Sequence, residues 1–356
     1  MITTNEILGI LKKIIDPDLG KDIVTLGFVR NIVIDKDKVN FDINLTTPAC
    51  PVKNQMQAEA QRLVASLPGV ATVAVNMTSE VRSSAPAKDK TALAGVKNII
   101  AIGSGKGGVG KSTVSTNLAV GLAQTGAKVG LLDADIYGPS IPIMMGPNKL
   151  LEVKGNKIEP ATAHGVKFMS MGFMAPADKP LIWRGPMAHG ALSQSLFDVL
   201  WGELDYLLVD LPPGTGDIHI TLCQSIALTG AVLVSTPQDV GLTIALKTFR
   251  LFEIARVPML GLIENMSHYV CPHCHERDDI FGNGGVKAAA ERLHLPYLGE
   301  IPLDTSIRKQ ADSGTPIIMA DPKAPSSLAY RQILEKLAAQ ISIVNMGKPQ
   351  LQVVEE

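Results

Sequence analysis

Apolar and polar positions in the first 80 or so residues indicate a small mixed unit. An apolar set at helical spacing lies behind Thr3 and Glu6, whose separation is that of a helix-capping box. Strand-like runs follow, with one further helix that Pro51 can open, because proline is tolerated at the first helical position. The predicted helices and strands are Ile7–Ile15, Val24–Ile34, Val39–Leu45, Pro51–Leu63 and Val70–Val75. The pattern predicts a small α/β domain over residues 1–82.

The pattern changes after a short polar stretch. Ser83–Lys90 is small, polar and interrupted by proline, which predicts a linker over residues 83–95. At the other end of the chain, Gly347–Glu356 is mostly polar, and we expect a loose tail over residues 346–356.

Between linker and tail, near-continuous apolar runs of strand length alternate with helical segments. Such runs are typical of parallel strands that helices cover on both faces. The predicted strands are Ile99–Ile102, Val129–Leu132, Tyr206–Val209, Ala231–Ser235 and Met259–Ile263, and a closing helix is expected over Ser326–Ile341. The fold class is therefore α/β, with a doubly wound, mostly parallel sheet over residues 96–345.

Composition narrows the classes of function. The formal charge of the 356-residue chain is −1, so bulk electrostatics favours neither a nucleic-acid nor a membrane partner. No apolar run approaches the roughly 20 residues of a membrane-spanning helix, and the start has no secretory-signal pattern. Four cysteines are too few for a disulfide scaffold. We expect a cytoplasmic protein, in which paired cysteines bind metal or do redox chemistry more often than they form bridges.

Residues 105–112 match the phosphate-binding template G-x-x-x-x-G-K-[ST]. The strand Ile99–Ile102 precedes them and a helix predicted over Thr113–Ala123 follows, as the template requires. Backbone N–H groups of the loop would bind phosphate oxygens, Lys111 would neutralise the β- and γ-phosphates of ATP, and the Ser112 hydroxyl would bind Mg²⁺. The predicted nucleotide-contacting residues of the loop are Gly105, Lys106, Gly107, Gly108, Val109, Gly110, Lys111, Ser112 and Thr113.

Aspartates follow two of the predicted strands. Asp133-Ala134-Asp135 ends one strand, and Asp210 ends another. Ligands of open α/β sheets collect at the carboxyl ends of strands, where carboxylates can hold Mg²⁺ through water and orient an attacking water. Each aspartate alone is better explained as a helix cap or a solvated loop residue. Together with the loop they favour a hydrolytic site.

The loop Gly-Lys-Gly-Gly-Val-Gly-Lys-Ser resembles the deviant Walker A loop of the P-loop NTPase class that includes MinD, ParA and the nitrogenase iron protein. The resemblance implies a homodimer that closes face to face over nucleotide, with Lys106 reaching the phosphates of the partner subunit. It also implies that Asp135 is the switch I residue that positions water, and that switch II runs from Asp210 to Gly214. The implied catalytic residues are Lys106, Lys111, Asp135 and Asp210, and the implied adenine-flanking residues are Asn265 and Pro302.

Cys271-Pro272-His273-Cys274 follows the last predicted strand, in a loop-like stretch. Its spacing fits a one-chain zinc site completed by nearby histidines, a c-type haem attachment site, a dithiol redox pair, or half of a cluster site. In the last case a symmetry mate would supply two more cysteines, because a residue near a two-fold axis meets its own copy. Four thiolates are what a [4Fe-4S] cluster requires.

Several segments together resemble the Mrp/ApbC iron–sulfur cluster carriers, and the resemblance covers essentially the whole chain. They are Asp133–Ser140, Gly261–Ser267, the Cys-Pro-His-Cys segment, Ile280–Gly285 and Gly299–Asp304. The resemblance implies an ATP-hydrolysing homodimer that holds a [4Fe-4S] cluster on Cys271 and Cys274 and transfers it to apo-proteins, with cluster-assembly scaffolds as further partners. His275 departs from the glycine of many relatives and leaves room for a histidine ligand or for zinc. The competing hypotheses are a MinD/ParA-like regulatory ATPase and an ATPase dimer with a structural zinc.

The two other cysteines differ in context. Cys50 precedes a predicted helix N-terminus, a position that favours the thiolate, and it is a candidate accessory contact for a cluster or a partner. Cys223 lies in an apolar helical setting and is expected to fill the core. Trp183-Arg184-Gly185-Pro186 is typical of the family but is not assigned to the site.

Overall fold

The computed structural model describes residues 2–84, 90–136, 138–146, 153–155, 157–174 and 185–347. They form two compact units. One comprises residues 2–82 with Ala338–Gly347, and the other comprises residues 83–337. Trp183, Arg184 and most of the predicted tail lie outside the described residues.

The first unit contains a three-stranded sheet and two helices. Thr3 and Glu6 form the predicted capping box: Thr3 N donates to Glu6 Oε2 at 2.8 Å, and Glu6 N donates to Thr3 Oγ1 at 3.3 Å. The sheet has the order β1-β2-β3, with an antiparallel first pair and a parallel second pair. Its elements are α1 (Thr4–Leu11), β1 (Val29–Asp35), β2 (Lys38–Leu45), α2 (Lys53–Ala65) and β3 (Thr72–Ser79).

The first half of the predicted strand Val24–Ile34 is wrong, because β1 begins only at Val29. Asp22 Oδ1 accepts hydrogen bonds from Val24 N at 3.1 Å and Thr25 N at 2.8 Å, which closes a turn. Gly27 then adopts a φ of 71°. A turn closed by a side-chain hydrogen bond forms here instead of a strand. The residues of the turn are apolar, so the sequence pattern predicts a strand.

The second unit is the larger. Its strands are β4 (Ile99–Ser104), β5 (Val129–Asp133), β6 (Val153–Lys154), β7 (Lys157–Ile158), β8 (Ala161–Ala163), β9 (Val166–Ser170), β10 (Tyr206–Asp210), β11 (Gly230–Ser235), β12 (Met259–Val270), β13 (Arg277–Asp278) and β14 (Tyr297–Leu303). Its helices are α3 (Lys111–Gln124), α4 (Ile141–Met145), α5 (Gly185–Phe197), α6 (Asp217–Ser225), α7 (Asp239–Ile254), α8 (Gly285–Leu293), α9 (Thr305–Asp312), α10 (Ile317–Ala320) and α11 (Pro325–Met346), the last of which ends within the first unit.

The main sheet of the described residues has nine strands in the order β13-β12-β11-β4-β10-β5-β9-β8, with β14 also paired to β12. The neighbouring strands β12, β11, β4, β10, β5 and β9 are parallel to one another, and β14 is parallel to β12. β13 and β8 pair with their neighbours in the antiparallel direction. β4 is buried along its whole length, and so are β5, β10 and β11, as expected for strands covered on both faces. The predicted α/β fold is confirmed.

The last central strand is longer than its apolar run. β12 continues through Val270, although the prediction ends it at Ile263. The polar residues that follow are buried and paired: Glu264 accepts from Gly284 N at 3.2 Å and Val286 N at 2.8 Å, and Ser267 Oγ donates to the Ile301 carbonyl at 3.2 Å. Polar partners from α8 and β14 therefore let the strand continue where the sequence indicates its end.

Part of the predicted linker belongs to the larger unit. Thr91 forms an isolated bridge with Ile226, and Leu93 is buried in the main core.

No helix in the described part of the chain is long and apolar enough to span a membrane.

Candidate functional site

The phosphate-binding loop lies between β4 and α3, as predicted. Gly108 and Gly110 both have a φ of 80°, a backbone conformation that glycine adopts without strain. An open cleft of about 230 Å³ lies over the loop, and Asp135 and Pro213 complete its walls. The loop therefore lines a cleft at the carboxyl ends of the strands, where ligands of such sheets bind.

In this cleft Lys111 is paired with an aspartate of the next strand. Its Nζ lies 2.6 Å from Asp210 Oδ2, and both side chains are buried. The same carboxylate oxygen accepts from Ser112 Oγ at 2.6 Å, and Oδ1 accepts from Ser115 Oγ at 2.6 Å. Three predicted site residues thus meet in one network, and Asp210 holds the lysine where a phosphate would otherwise pair with it.

A second buried carboxylate lies beside this network. Asp133 and Asp210 are register partners on the parallel strands β5 and β10. Burial, reinforced by the neighbouring charge of Asp210, raises the pKa of Asp133 to about 7. Its carboxylate accepts from Ser170 Oγ at 3.0 Å and from Asp135 N at 3.1 Å. These bonds favour the ionised form but do not overcome the desolvation.

The two residues implied to act on ATP from the rim are more exposed. Asp135 is partly exposed, and its Oδ1 accepts from Gly138 N at 3.2 Å. Lys106 is exposed, and its ammonium group makes no hydrogen bond or ion pair within the described residues. Its carbonyl accepts from Ser104 Oγ at 3.2 Å, which fixes the backbone of the loop rather than the side chain. The Lys106 side chain is thus available to a partner.

Asn265, implied to flank adenine, contacts the loop itself. Its Nδ2 donates to the Val109 carbonyl at 2.8 Å, and a Cβ added at Gly110 would meet the same amide group. Pro302 lies on the neighbouring strand β14, where Ile301 is the register partner of Asn265. The structure therefore brings Asn265 to the phosphate loop and places Pro302 one residue beyond its partner.

The structure buries a histidine near the phosphate loop that the sequence pattern did not indicate. Both ring nitrogens of His219, on α6, lack a hydrogen-bond partner among the described residues. Burial, with a smaller contribution from the charge of Lys111, lowers the pKa of His219 to about 4. The ring lies 6.3 Å from that of Phe252, centroid to centroid. His219 is thus a neutral, apolar-packed side chain on α6, the helix that follows Asp210–Gly214 in the chain.

The cysteine pair occupies the tip of a hairpin. β12 and β13 are antiparallel, with Val270 opposite Arg277, so residues 271–276 form the connecting loop. The loop is closed by hydrogen bonds from Cys271 N to the Glu276 carbonyl at 3.0 Å and from His275 N to the Cys271 carbonyl at 2.9 Å. Cys274 is exposed and Cys271 is partly exposed. The two cysteines therefore lie in a partly to fully exposed loop at the end of a sheet strand.

The hairpin favours a thiolate at its first cysteine. Backbone N–H groups of Cys274 and His273 lower the pKa of the Cys271 thiol below its ordinary value. Within the described ranges, no cluster of three or more histidine, cysteine or carboxylate side chains is arranged to hold a metal ion. The one-chain zinc site therefore has no third ligand in place among these residues.

Of the remaining cysteines, Cys223 has its predicted setting, whereas Cys50 lies further from a helix start than predicted because α2 begins at Lys53 rather than at Pro51. Cys50 is partly buried against the core of the small unit, three residues before α2 begins at Lys53. Cys223 is 3% exposed, which confirms it as a core residue, and burial raises the pKa of its thiol to about 11.

Sequence reasoning missed two of the residues that shape the nucleotide site. Ser115 lies four residues after Lys111, one helical turn along α3, and this spacing is the signal that could have indicated it. Ser170, which donates to Asp133, comes from β9, a strand that the sequence analysis did not predict. Only the order of strands in the sheet places it there.

Comparison with protein families gives two matches. Residues 95–338 match the family described as NUBPL iron-transfer P-loop NTPase, and residues 4–75 match the family of iron–sulfur cluster assembly proteins. The first match spans more than half of the chain.

Curated relatives match most of the chain. An iron–sulfur cluster carrier protein of Synechocystis sp. is 45% identical over 96% of this chain and 99% of its own, and that of Escherichia coli K12 is 40% identical over 94% and 91%. The iron–sulfur cluster transfer protein NUBPL of Dictyostelium discoideum is 47% identical over 73% of this chain and 81% of its own.

Solved structures give the same fold. A nucleotide-binding protein of Archaeoglobus fulgidus, in complex with ADP, is 40% identical over 62% of this chain and 88% of its own, with a TM-score of 0.55. The cell division ATPase MinD of Pyrococcus furiosus, 23% identical over 67% of this chain and 98% of its own with a TM-score of 0.52, shares the fold.

Proposed function

Because the chain belongs to the family of NUBPL iron-transfer P-loop NTPases, and so is an iron–sulfur cluster carrier, we propose that it works as an ATP-hydrolysing homodimer. In this proposal Cys271 and Cys274 of two subunits hold one [4Fe-4S] cluster, which is the cargo. Apo-proteins receive the cluster, and assembly scaffolds supply it. The observation that carries the proposal is a C-x-x-C pair, partly to fully exposed, at the hairpin tip directly after β12, the strand that also contacts the phosphate loop.

The nucleotide half of the proposal rests on the Lys111–Asp210 pair. An ATP phosphate offers Lys111 a stronger anionic partner, so binding would release Asp210 from the lysine. Asp210 begins switch II, and its release would pass the presence of the γ-phosphate to the residues that follow. Asp135, which lines the cleft and is partly exposed, would orient the attacking water.

The donor set around Ser112 fits Mg²⁺. Its hydroxyl lies 2.6 Å from a carboxylate oxygen of Asp210, and Asp133 is next to Asp210 in the sheet. A hydroxyl and carboxylates are the hard oxygen donors that Mg²⁺ prefers. When bound, the ion would neutralise charge that develops on the phosphates. A cation here would also lower the pKa of Asp133.

The cluster half rests on the number of thiols. One subunit presents two thiols at the hairpin tip, whereas a [4Fe-4S] cluster requires four. A two-fold dimer brings each residue near its axis close to its own copy. Lys106, exposed in the cleft, supports the same dimer because its charge is available to the partner's phosphates.

β12 supports a link between the two halves. Asn265 binds the Val109 carbonyl of the phosphate loop, and Cys271 follows six residues later, directly after β12 ends at Val270. A rearrangement of the loop on nucleotide binding would therefore reach the hairpin through one continuous strand. Coupling of this kind is reciprocal, so cluster occupancy would also alter nucleotide affinity.

Anaerobic reconstitution with iron and sulfide tests the cluster assignment. We expect wild-type protein to gain the broad visible absorption of a [4Fe-4S] cluster and about four irons per dimer, and a Cys271→Ala, Cys274→Ala variant to gain neither. Cys223→Ala is the matched control, because it removes a thiol that is buried. Wild-type protein that takes up zinc but no iron, or a double variant that binds iron as wild type does, would contradict the proposal.

Sedimentation with a non-hydrolysable ATP analogue tests the dimer. We expect Lys106→Ala to weaken nucleotide-dependent dimerisation, while Lys323→Ala, a change of another exposed lysine, leaves it intact. Unchanged dimerisation of the Lys106 variant would remove the link from the phosphate loop to the shared cluster. Co-sedimentation of wild-type protein with liposomes or DNA in the presence of ATP would favour the regulatory-ATPase alternative instead.

A further inference from the structure

A second and larger depression lies beside switch II, away from the residues assigned above. It is an open groove of about 750 Å³ bounded by α6 and α7, and Thr215, directly after switch II, lines it as well. The phosphate cleft, at about 230 Å³, is a third of this size. The proposed binding of ATP and of the cluster gives this groove no role.

The surface of the groove is largely aliphatic. Ile220 and Leu251 line it, and Ile254 at the end of α7 is 83% exposed, the most exposed of the large apolar side chains among the described residues. Large apolar side chains exposed next to one another are uncommon on a monomer surface and mark interaction sites.

The rim of the groove is basic. Lys90, Lys247 and Arg250 line it, and no acidic side chain does so within the described residues. Lys90 and Lys247 have no ion-pair partner in that part of the chain, whereas Arg250 is paired with Glu253 on the exposed surface. The charge of Lys90 also acts on the thiol of Cys223, which places the lysine close to the floor of the groove. Uncompensated positive charge around an apolar strip complements an anionic, amphipathic ligand.

The shape of the groove distinguishes a macromolecule from a small molecule. Sites for small amphipathic anions enclose most of the ligand surface, but this groove is open and its largest apolar contributor is mostly exposed. An open, largely apolar groove between two helices fits a third helix, with apolar residues at helical spacing turned inwards.

We propose that the groove between α6 and α7 docks an acidic amphipathic helix of a partner protein. Aliphatic residues of the partner would cover Ile220, Leu251 and Ile254. Carboxylates that flank its apolar stripe would pair with Lys90 and Lys247. The inference does not depend on the cluster assignment.

A labelled peptide tests the docking site on the full-length protein. The probe is a designed peptide of roughly 15 residues, helical, with leucines at positions i, i+3, i+4 and i+7 and glutamates on both flanks. Two further peptides serve as controls: one has the same composition in scrambled order, and the other has lysine in place of every glutamate. Fluorescence anisotropy measures binding.

We expect the acidic striped peptide to bind wild-type protein, and its affinity to fall about tenfold in Lys247→Glu and in Ile254→Asp. Lys323→Glu and Ile15→Asp are the matched controls, each a change of an exposed residue elsewhere, and should bind as wild type does. Both groove variants alter exposed side chains, so they should keep the melting temperature of the wild type.

Four results with the peptide, and one with the dimer, would overturn the proposal. They are equal binding of the lysine or scrambled peptide, unchanged affinity in both groove variants, no binding of the acidic peptide, and displacement of that peptide by monomeric sodium oleate, which would assign the groove to a free carboxylate lipid. Loss of the dimer in Ile254→Asp would likewise assign the groove to a second copy of this chain.

Discussion

The phosphate loop and the cysteine hairpin belong to the same sheet, but they differ in how far their polar groups are paired and buried within one chain. The buried network beside the loop is satisfied within one chain: Lys111, Ser112 and Ser115 all bond to Asp210, and the Lys111 and Asp210 charges are buried. The hairpin is exposed, and its thiols have no third protein ligand within the described residues. A site that binds a diffusing nucleotide can be satisfied internally until the ligand arrives. A site that carries and releases cargo, as proposed for the hairpin, has to keep its ligands accessible, and the hairpin cysteines are partly to fully exposed.

This contrast predicts where a substitution affects folding and where it affects only binding. A change in the buried network should alter both stability and nucleotide binding. A change at the hairpin should alter cargo binding alone.

The largest effect is expected from Lys111→Met. The change leaves Asp210 buried without its countercharge, and breaking a buried pair costs roughly 3–5 kcal/mol of unfolding free energy. Denaturant unfolding without nucleotide measures the loss. Addition of Asp210→Asn should restore much of it, because no buried charge then remains unpaired. A single variant as stable as wild type would show that the lysine is not held as described.

The next effect concerns the pH dependence set by Asp133. Its pKa of about 7 in the fold exceeds the ordinary 3.8, so the folded state binds more protons between these values. Stability therefore falls as the pH rises from about 4 to about 7, by a few kcal/mol in total. Asp133→Asn cannot ionise and should flatten this part of the profile, measured by urea unfolding from pH 5 to pH 8. A variant with the wild-type slope would place the titration on another group.

A smaller effect on stability is expected to distinguish alanine variants of two glycines that have the same φ angle. Gly108 and Gly110 share a φ of 80°, but only at Gly110 would an added methyl group meet the Asn265 amide. Alanine at either position carries the backbone strain, about 1 kcal/mol or more. Gly110→Ala should be less stable than Gly108→Ala by roughly another 1–3 kcal/mol, because it also displaces the amide from the Val109 carbonyl. Equal melting temperatures for the two variants would argue against that contact.

The smallest effect on stability is expected at the hairpin. Cys271→Ser and Cys274→Ser change partly or fully exposed side chains, and the backbone hydrogen bonds that close the loop do not involve them. The unfolding free energy should stay within about 0.5 kcal/mol of wild type. Iron uptake after reconstitution should nevertheless be lost in the pair. A large loss of stability would mean that the thiols support the fold, and the contrast with the loop would fail.

The sequence predicted much of what the structure contains. The central strands and the phosphate loop follow from apolar runs and from a template whose glycine spacing has a direct steric reason. The elements that it mispredicted lie where polar groups decide the backbone. Asp22 closes a turn inside an apolar run, and Glu264 allows a strand to continue past its apolar part, because each carboxylate accepts backbone N–H groups that the pattern of hydrophobic residues does not reveal.

By itself, then, the sequence determined the α/β fold, the phosphate loop and the pair of cysteines in a loop after a strand, since each depends on local spacing. Only the tertiary structure decided that Asp133 and Asp210 are register partners, that Asn265 contacts the loop, and that basic side chains surround an apolar groove beside switch II. These relations join residues far apart in the chain. They depend on strand order and side-chain burial, which arise from packing of the whole unit rather than from any local pattern.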